Sequence, residues 1–246
     1  MSITTEICQD YHVCFPGKKS TFYKWKSMGS GFIRFLVLIT ILLASTASAR
    51  ADDAESARQY NQDAIALQSQ GQLAEASNLY RKAIALNPRG GAYHNNLALV
   101  LKDHGQLEEA LKEARIALEI KPERADYHFN LGIILTRLGK TDEAIERFQK
   151  ACKLNASDVE SRYRLAEILV SRDHLEEAQK QLKLAILLAP RDFRFHRLLG
   201  DVYMKTQKGE KALYEYKRSA ELTPYAELDP AVIQKIDYLK KLLNSR

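Results

Sequence analysis

Residues 91–124 read GAYHNNLALVLKDHGQLEEALKEARIALEIKPER, and residues 125–158 repeat the pattern as ADYHFNLGIILTRLGKTDEAIERFQKACKLNASD. Laid together without gaps, they set His94 on His128, Asn96 on Asn130, Ala110 on Ala144 and Ala117 on Ala151, a period of 34 residues. Outward from this pair, the same period carries Pro88, Pro122, Pro190 and Pro224 in one column, with Ala156 at the missing member. The chain therefore divides into five units, 57–90, 91–124, 125–158, 159–192 and 193–226. A period of this size marks supersecondary units that bury their apolar faces on one another, and each unit needs its neighbours.

The columns inside a unit predict two helices and a turn. Position 20 is always alanine (Ala76, Ala110, Ala144, Ala178, Ala212), and position 8 is Ala64, Ala98, Gly132, Ala166 and Gly200. Small residues at fixed places let helix backbones approach closely, while Leu97, Leu131, Leu165 and Leu199 at position 7 fill the space beside them. Between the apolar runs stand Gly71, Gly105, Gly139, then Asp173 and a shifted Gly209, read as the turn residues. Second helices open with acidic residues such as Glu75, Glu109, Glu143 and Glu177, which the positive end of a helix dipole favours, and the column proline ends each one.

A 34-residue helix-turn-helix with small residues at positions 8, 20 and 27 resembles the tetratricopeptide repeat family over residues 57–226. The resemblance implies an all-α, right-handed α-solenoid whose first helices line a concave wall. The pattern departs from the family at position 4, which is Tyr60, His94, His128, Arg162 and His196, at Ala114 in position 24 of unit two, and at the fourth turn, which lacks glycine. After the last unit, Asp229-Pro230 begins a segment with Ile233, Ile236, Leu239, Leu242 and Leu243 at helical spacing, so 227–246 is expected to be a capping helix over the end of the stack.

Function is expected on the face that packing leaves free. At about 100° per residue, positions 5, 6, 9 and 13 cluster around position 2, on the side away from positions 4, 7, 8 and 11. Position 6 reads Gln62, Asn96, Asn130, Arg164 and Leu198, and position 9 reads Ile65, Leu99, Ile133, Glu167 and Asp201. Over three units an amide row runs beside an aliphatic row, with Asn61, Asn95 and Phe129 adding to it. A carboxamide satisfies one donor and one acceptor, so such a row suits the backbone of an extended peptide, while the aliphatic row takes its side chains. The row is similar to the asparagine ladder in the repeat domain of O-GlcNAc transferases, matched here only by Asn96 and Asn130. In units four and five the face turns ionic. Arg164, Arg194 and Arg197 are candidates to receive a partner's carboxylate, and the competing reading has them paired with Glu160, Glu167 and Asp201 of the chain itself.

The rest of the sequence narrows the class of activity. Phe35 to Ala44 is a short apolar run, preceded by cations and followed by Ala47-Ser48-Ala49 and Ala49-Arg50-Ala51. That is the layout of a signal or targeting segment over 1–51, with 52–56 as a short lead-in to the repeats. Cutting near Ala49–Ala51 would give an exported chain, periplasmic, luminal or secreted; the alternative is a membrane anchor over 33–49. Met28 offers a second possible start. The formal charge of +6 is concentrated there, because residues 52–246 carry 31 basic and 29 acidic side chains. The body thus lacks the basic excess of a nucleic-acid binder. Cys8 and Cys14 lie in the same segment, leaving Cys152, on an apolar face, as a buried inert thiol. No metal motif, phosphate loop or nucleophile elbow is found, so no cofactor, metal or small-molecule substrate is expected. These readings predict an exported non-catalytic adaptor that binds a peptide segment of another protein in its groove. The alternative is an assembly or tethering factor of a membrane-associated complex, acting through the convex face or ends.

Overall fold

The computed structural model describes residues 51–224 and 229–245, and the segment expected to address the chain lies outside them. Within them every element is helical. Helix α1 covers 51–69, so the lead-in residues belong to the first helix of the stack. There follow α2 (Leu73–Leu86), α3 (Gly91–Asp103), α4 (Leu107–Ile120), α5 (Ala125–Arg137), α6 (Thr141–Leu154), α7 (Val159–Ser171), α8 (Leu175–Leu188), α9 (Phe193–Lys205), α10 (Gly209–Leu222) and α11 (Pro230–Asn244). From α2 onward each helix packs on its successor, α3 also touches α5, and α7 touches α9. Like helices of neighbouring units thus meet directly through their first members. No helix among the described residues is long and apolar enough to cross a membrane.

The ends of the helices follow local rules. Asp158, Asp192 and Asp229 cap α7, α9 and α11 through side-chain oxygens that accept from backbone N–H groups two or three residues on, satisfying donors that the first turn leaves bare. The residue at position 15 adopts a left-handed backbone in every unit: Gly71 (φ 77°), Gly105 (84°), Gly139 (72°), Asp173 (61°) and Gln207 (57°). The last of these corrects the sequence reading. Gly209 does not make the fifth turn; it is the first residue of α10, and Gln207 keeps the register at the cost of a strained backbone. Glycine enters this region without the Cβ clash that costs other residues about 1 kcal/mol. Gln207→Gly should therefore raise the thermal midpoint by a few degrees, as about 1 kcal/mol does in a domain of this size. Gly209→Ala, whose new methyl would meet only Leu239 and Leu243 at 3.7 Å, should lower it little or not at all in the same melts.

The core runs the length of the stack. Ala64, Ala76, Ala98, Ala110, Ala144, Ala166, Ala178 and Ala212 are fully buried where helices cross, with Tyr80, Phe148, Leu182 and Tyr216 filling position 24 beside them. Tyr80 donates its hydroxyl to Gln68 Oε1 at 3.0 Å and Tyr216 donates to Asp201 Oδ1 at 2.7 Å, so both buried phenols are satisfied. Cys152 is buried, and burial pushes its thiol up to about 11, in keeping with an inert side chain.

Two further side-chain patterns recur with the units. On the second helices a residue pairs with one 28 positions on: Arg81 with Glu109 at 2.7 Å, Arg115 with Glu143 at 2.8 Å, and Gln149 with Glu177 at 3.2 Å. At the next joint the corresponding positions are Lys183 and Lys211, and neither forms an ion pair among the described residues. On the first helices, position 4 reaches back to the carbonyl six residues before it. His94, His128 and His196 bond Pro88, Pro122 and Pro190 at 3.1, 2.9 and 3.2 Å through Nε2, and Arg162 bonds Ala156 at 2.8 Å. A polar side chain thus replaces the expected aromatic because it ties one unit to the next.

Candidate functional site

The amide row is built from four asparagines on three first helices. Asn130 Nδ2 donates to Asn95 Oδ1 at 2.9 Å, Asn95 Nδ2 reaches Asn96 Oδ1 at 3.5 Å, and Asn96 Nδ2 donates to Asn61 Oδ1 at 3.0 Å. The links run from α5 through α3 to α1. Each carboxamide has two N–H donors and two lone pairs on oxygen, so Asn96 keeps one donor and one acceptor after its bonds in the row. Those are the two groups that a peptide unit needs.

Position 5 is where the structure departs from the expected free face. Asn95 is only 6% exposed and Tyr163 5%, while Phe129 is half-buried with its ring 5.8 Å from that of Phe148. Position 5 sits at the border of the face, and the neighbouring unit's first helix covers it. Asn95 is therefore a link inside the row, out of a ligand's direct reach. Position 6 stays accessible: Gln62 is exposed, and Asn96 and Asn130 are half-buried. Beside them Ile65 is 48% exposed, and Leu99 and Ile133 are half-buried.

The aliphatic row ends at a cleft of about 360 Å³ between α5 and α7, with Ile133, Ile168 and Phe148 as apolar lining and Arg137, Arg164 and Glu167 at its polar edge. Arg137 is steadied by donating to the Lys102 carbonyl at 3.0 Å. This cleft escapes a helix-by-helix reading, because its walls come from different units.

Beyond the cleft the arginines have partners in the chain itself. Arg164 bonds Glu160 at 2.9 Å and Glu167 at 3.0 Å, Arg194 lies 3.1 Å from Glu160 and 2.7 Å from Asp192, and Arg197 lies 3.7 Å from Asp229. Arg194 also sits 5.0 Å above the Tyr163 ring, and its hydrogen bond to Asp192 holds its pKa above the ordinary arginine value. An incoming carboxylate would have to displace one already present. Asp201, read as a possible partner of these arginines, is bonded by Tyr216 and Lys235 instead.

The histidines form pairs that the sequence reading missed. His94 Nδ1 lies 2.6 Å from Glu113 and His196 Nδ1 lies 2.7 Å from Glu215, each partner nineteen residues on. The glutamate hydrogen bond, opposed by burial, raises both histidine pKa values. The signal was present as a repeated pairing of positions 4 and 23. Among the described residues no group of His, Cys, Asp and Glu is arranged to hold a metal ion.

The chain belongs to the tetratricopeptide repeat family. Models of that family, described as tetratricopeptide repeat or TPR repeat, match residues 66–105, 88–157 and 135–202. No curated protein matches by sequence. Among solved structures, YrrB, described as a TPR protein with an unusual peptide-binding site, is 25% identical with a TM-score of 0.62, covering 74% of this chain and 94% of its own. PilF of Pseudomonas aeruginosa is 19% identical with a TM-score of 0.69, covering 78% and 86%. MamA of Desulfovibrio magneticus RS-1 is 16% identical with a TM-score of 0.64, covering 68% and 94%. The last two show the shared fold.

Proposed function

We propose that this chain is a non-catalytic adaptor that acts after export and holds an extended segment of another protein along its first-helix wall. The observation that carries this reading is the asparagine row running beside Ile65, Leu99 and Ile133 and ending at an apolar cleft. Asn96 and Asn130 bond the peptide backbone, the aliphatic row and the cleft take alternate side chains, and the internal links hold the amides in place before the ligand arrives. Preorganisation of this kind lowers the entropy lost on binding. The peptide-binding site named for YrrB adds support from a chain of similar fold.

The test is capture of partners from cell-envelope extract by wild type and by the Asn96→Ala, Asn130→Ala double variant, followed by titration of the captured segment as a synthetic peptide. The double variant should bind that peptide at least tenfold more weakly, the equivalent of about 1.4 kcal/mol, with its helical spectrum unchanged. Equal binding by both proteins would end the reading. In that case a second reading gains, in which the stack assembles a complex through its second helices. It is favoured by Leu187 (78% exposed) on α8 and Tyr214 (64% exposed) on α10, which present large apolar side chains to solvent. Export is checked separately, by sequencing the amino terminus of the protein recovered from its native compartment.

A further inference from the structure

The third unit breaks the histidine rule of the second and fifth. His128 keeps its bond from Nε2 to the Pro122 carbonyl at 2.9 Å, but the residue nineteen positions on is Arg147 in place of glutamate. Its other ring nitrogen, Nδ1, is buried and has no hydrogen-bond partner, although the residue is only 4% exposed. A buried polar atom without a partner is rare and costly, and calls for an explanation. His128 lines a cleft of about 320 Å³ together with Arg115 and Arg147, with Glu119 and Glu143, and with the apolar surfaces of Leu118, Pro122 and Leu131. It is a different site from the amide row, because position 4 and position 6 point to opposite sides of a helix.

We propose that this cleft binds an alkyl carboxylate, which takes the seat that the Glu113 and Glu215 side chains fill in their own units. Those two show the geometry, with a carboxylate oxygen 2.6 and 2.7 Å from the corresponding Nδ1. The Pro122 carbonyl can only accept, so Nε2 carries a proton; with a second proton on Nδ1 the ring donates to the ligand. Arg147 supplies the other donors through its guanidinium, and its carboxylate contact within the chain, to Glu146, is a loose 3.8 Å. Arg115 is held by Glu143 at 2.8 Å, which leaves Arg147 as the cation free to turn inward. Leu118, Pro122 and Leu131 then pack the methylene groups behind the acid.

Binding takes up a proton at His128, so affinity increases as pH falls. The charged groups around the ring are Arg147, Lys150 and Glu143 from α6, Arg115 and Glu119 from α4, and Glu123 from the connecting turn, where Glu123 and Lys150 pair at 3.3 Å. Burial, with Arg147 and Lys150 nearby, lowers the pKa of His128, whereas the glutamate-paired His94 and His196 are raised.

The experiment follows the His128 ring signals by NMR in the full chain during titration with glutarate, with a capped Ala-Glu-Ala peptide and with inorganic phosphate, at pH 6 and pH 8. A saturable shift of His128, with His94 and His196 unmoved, is expected for at least one carboxylate probe, tighter at pH 6. Glutarate alone identifies a free small acid as the ligand, and the peptide, alone or with glutarate, a protein side chain. Arg147→Glu restores the internal pair and should weaken binding at least tenfold while raising the His128 pKa; Arg147→Met, which only removes the arginine's charge, should weaken binding with a smaller rise. Phosphate binding as tight as that of the carboxylates would overturn the assignment. So would no shift from any probe, or undiminished binding by both variants.

Discussion

Gly132→Ala should lower the stability of the stack by about 2 kcal/mol, in the range that overpacking a full core costs. A Cβ at Gly132 would lie 2.8 to 3.0 Å from three atoms of the Phe148 ring, closer than side-chain carbons pack. In unit one, alanine at the same place, Ala64, coexists with Tyr80. In unit three the Phe129 ring packs 5.8 Å from that of Phe148 at a steep angle and hinders Phe148 from moving aside. Unit four shows the other solution, Ala166 with Leu182, both buried. The double variant Gly132→Ala, Phe148→Leu should therefore recover much of the loss, giving a coupling energy of about 1 kcal/mol or more in a denaturant cycle. Additive effects would mean that Phe148 moves freely. Because Phe148 also lines the cleft between α5 and α7, the single variant should weaken peptide binding as well.

The Glu113→Gln, Glu215→Gln double variant should be less stable than wild type by about 3 kcal/mol at pH 6, and by little at pH 9. Each pair is a charge-assisted hydrogen bond in a mostly buried setting, about 1.5 kcal/mol or more apiece, and the two units are far enough apart to add. The pH dependence follows from the direction of the shifts. Both histidines rise above their ordinary value of 6.5, so the folded chain holds its protons more tightly than the unfolded one. The stabilisation is fully present below pH 6.5 and is lost as the pH climbs through the raised values. His128 is shifted the other way, and its contribution is lost as the pH falls below 6.5 through its lowered value. For the three histidines together, wild type is most stable near pH 6.5. Thermal midpoints across pH 5–9 test this: the alkaline decline should flatten in the double variant, and the acid decline should remain.

Most of the fold could be read from the chain because it rests on rules local to a few residues. Glycine at the turn, alanine at the crossing points, acid in the first turn and proline after the last are each favoured by backbone geometry, and the period repeats most of them from unit to unit, with Asp173 and Gln207 at two turns and Ala156 for one proline. The fifth turn was misplaced for the same reason: glycine was followed, while the register put Gln207 in the left-handed position. The candidate site was less legible. A helical wheel treats one helix at a time, so it left Asn95 and Tyr163 free when the next unit covers them. The ionic side was more legible: pairing of Arg164 and Arg194 with Glu160 is one of the two readings their spacing offers, and Glu160 lies within reach of both across two helices.

At the fourth joint Lys183 and Lys211 occupy the positions that carry the latching pairs elsewhere. Earlier joints are latched on their outer side by Arg81–Glu109 and Arg115–Glu143. Here no such latch forms among the described residues, Lys211 lying 6.0 Å from the Tyr203 ring, while Arg194 and Glu160 pair across the inner helices at 3.1 Å. A joint held on its inner side by a part-exposed ion pair and left unlatched on its outer side is the one that dissolved salt should loosen first, which makes the medium a partner in setting how stiff the wall is there.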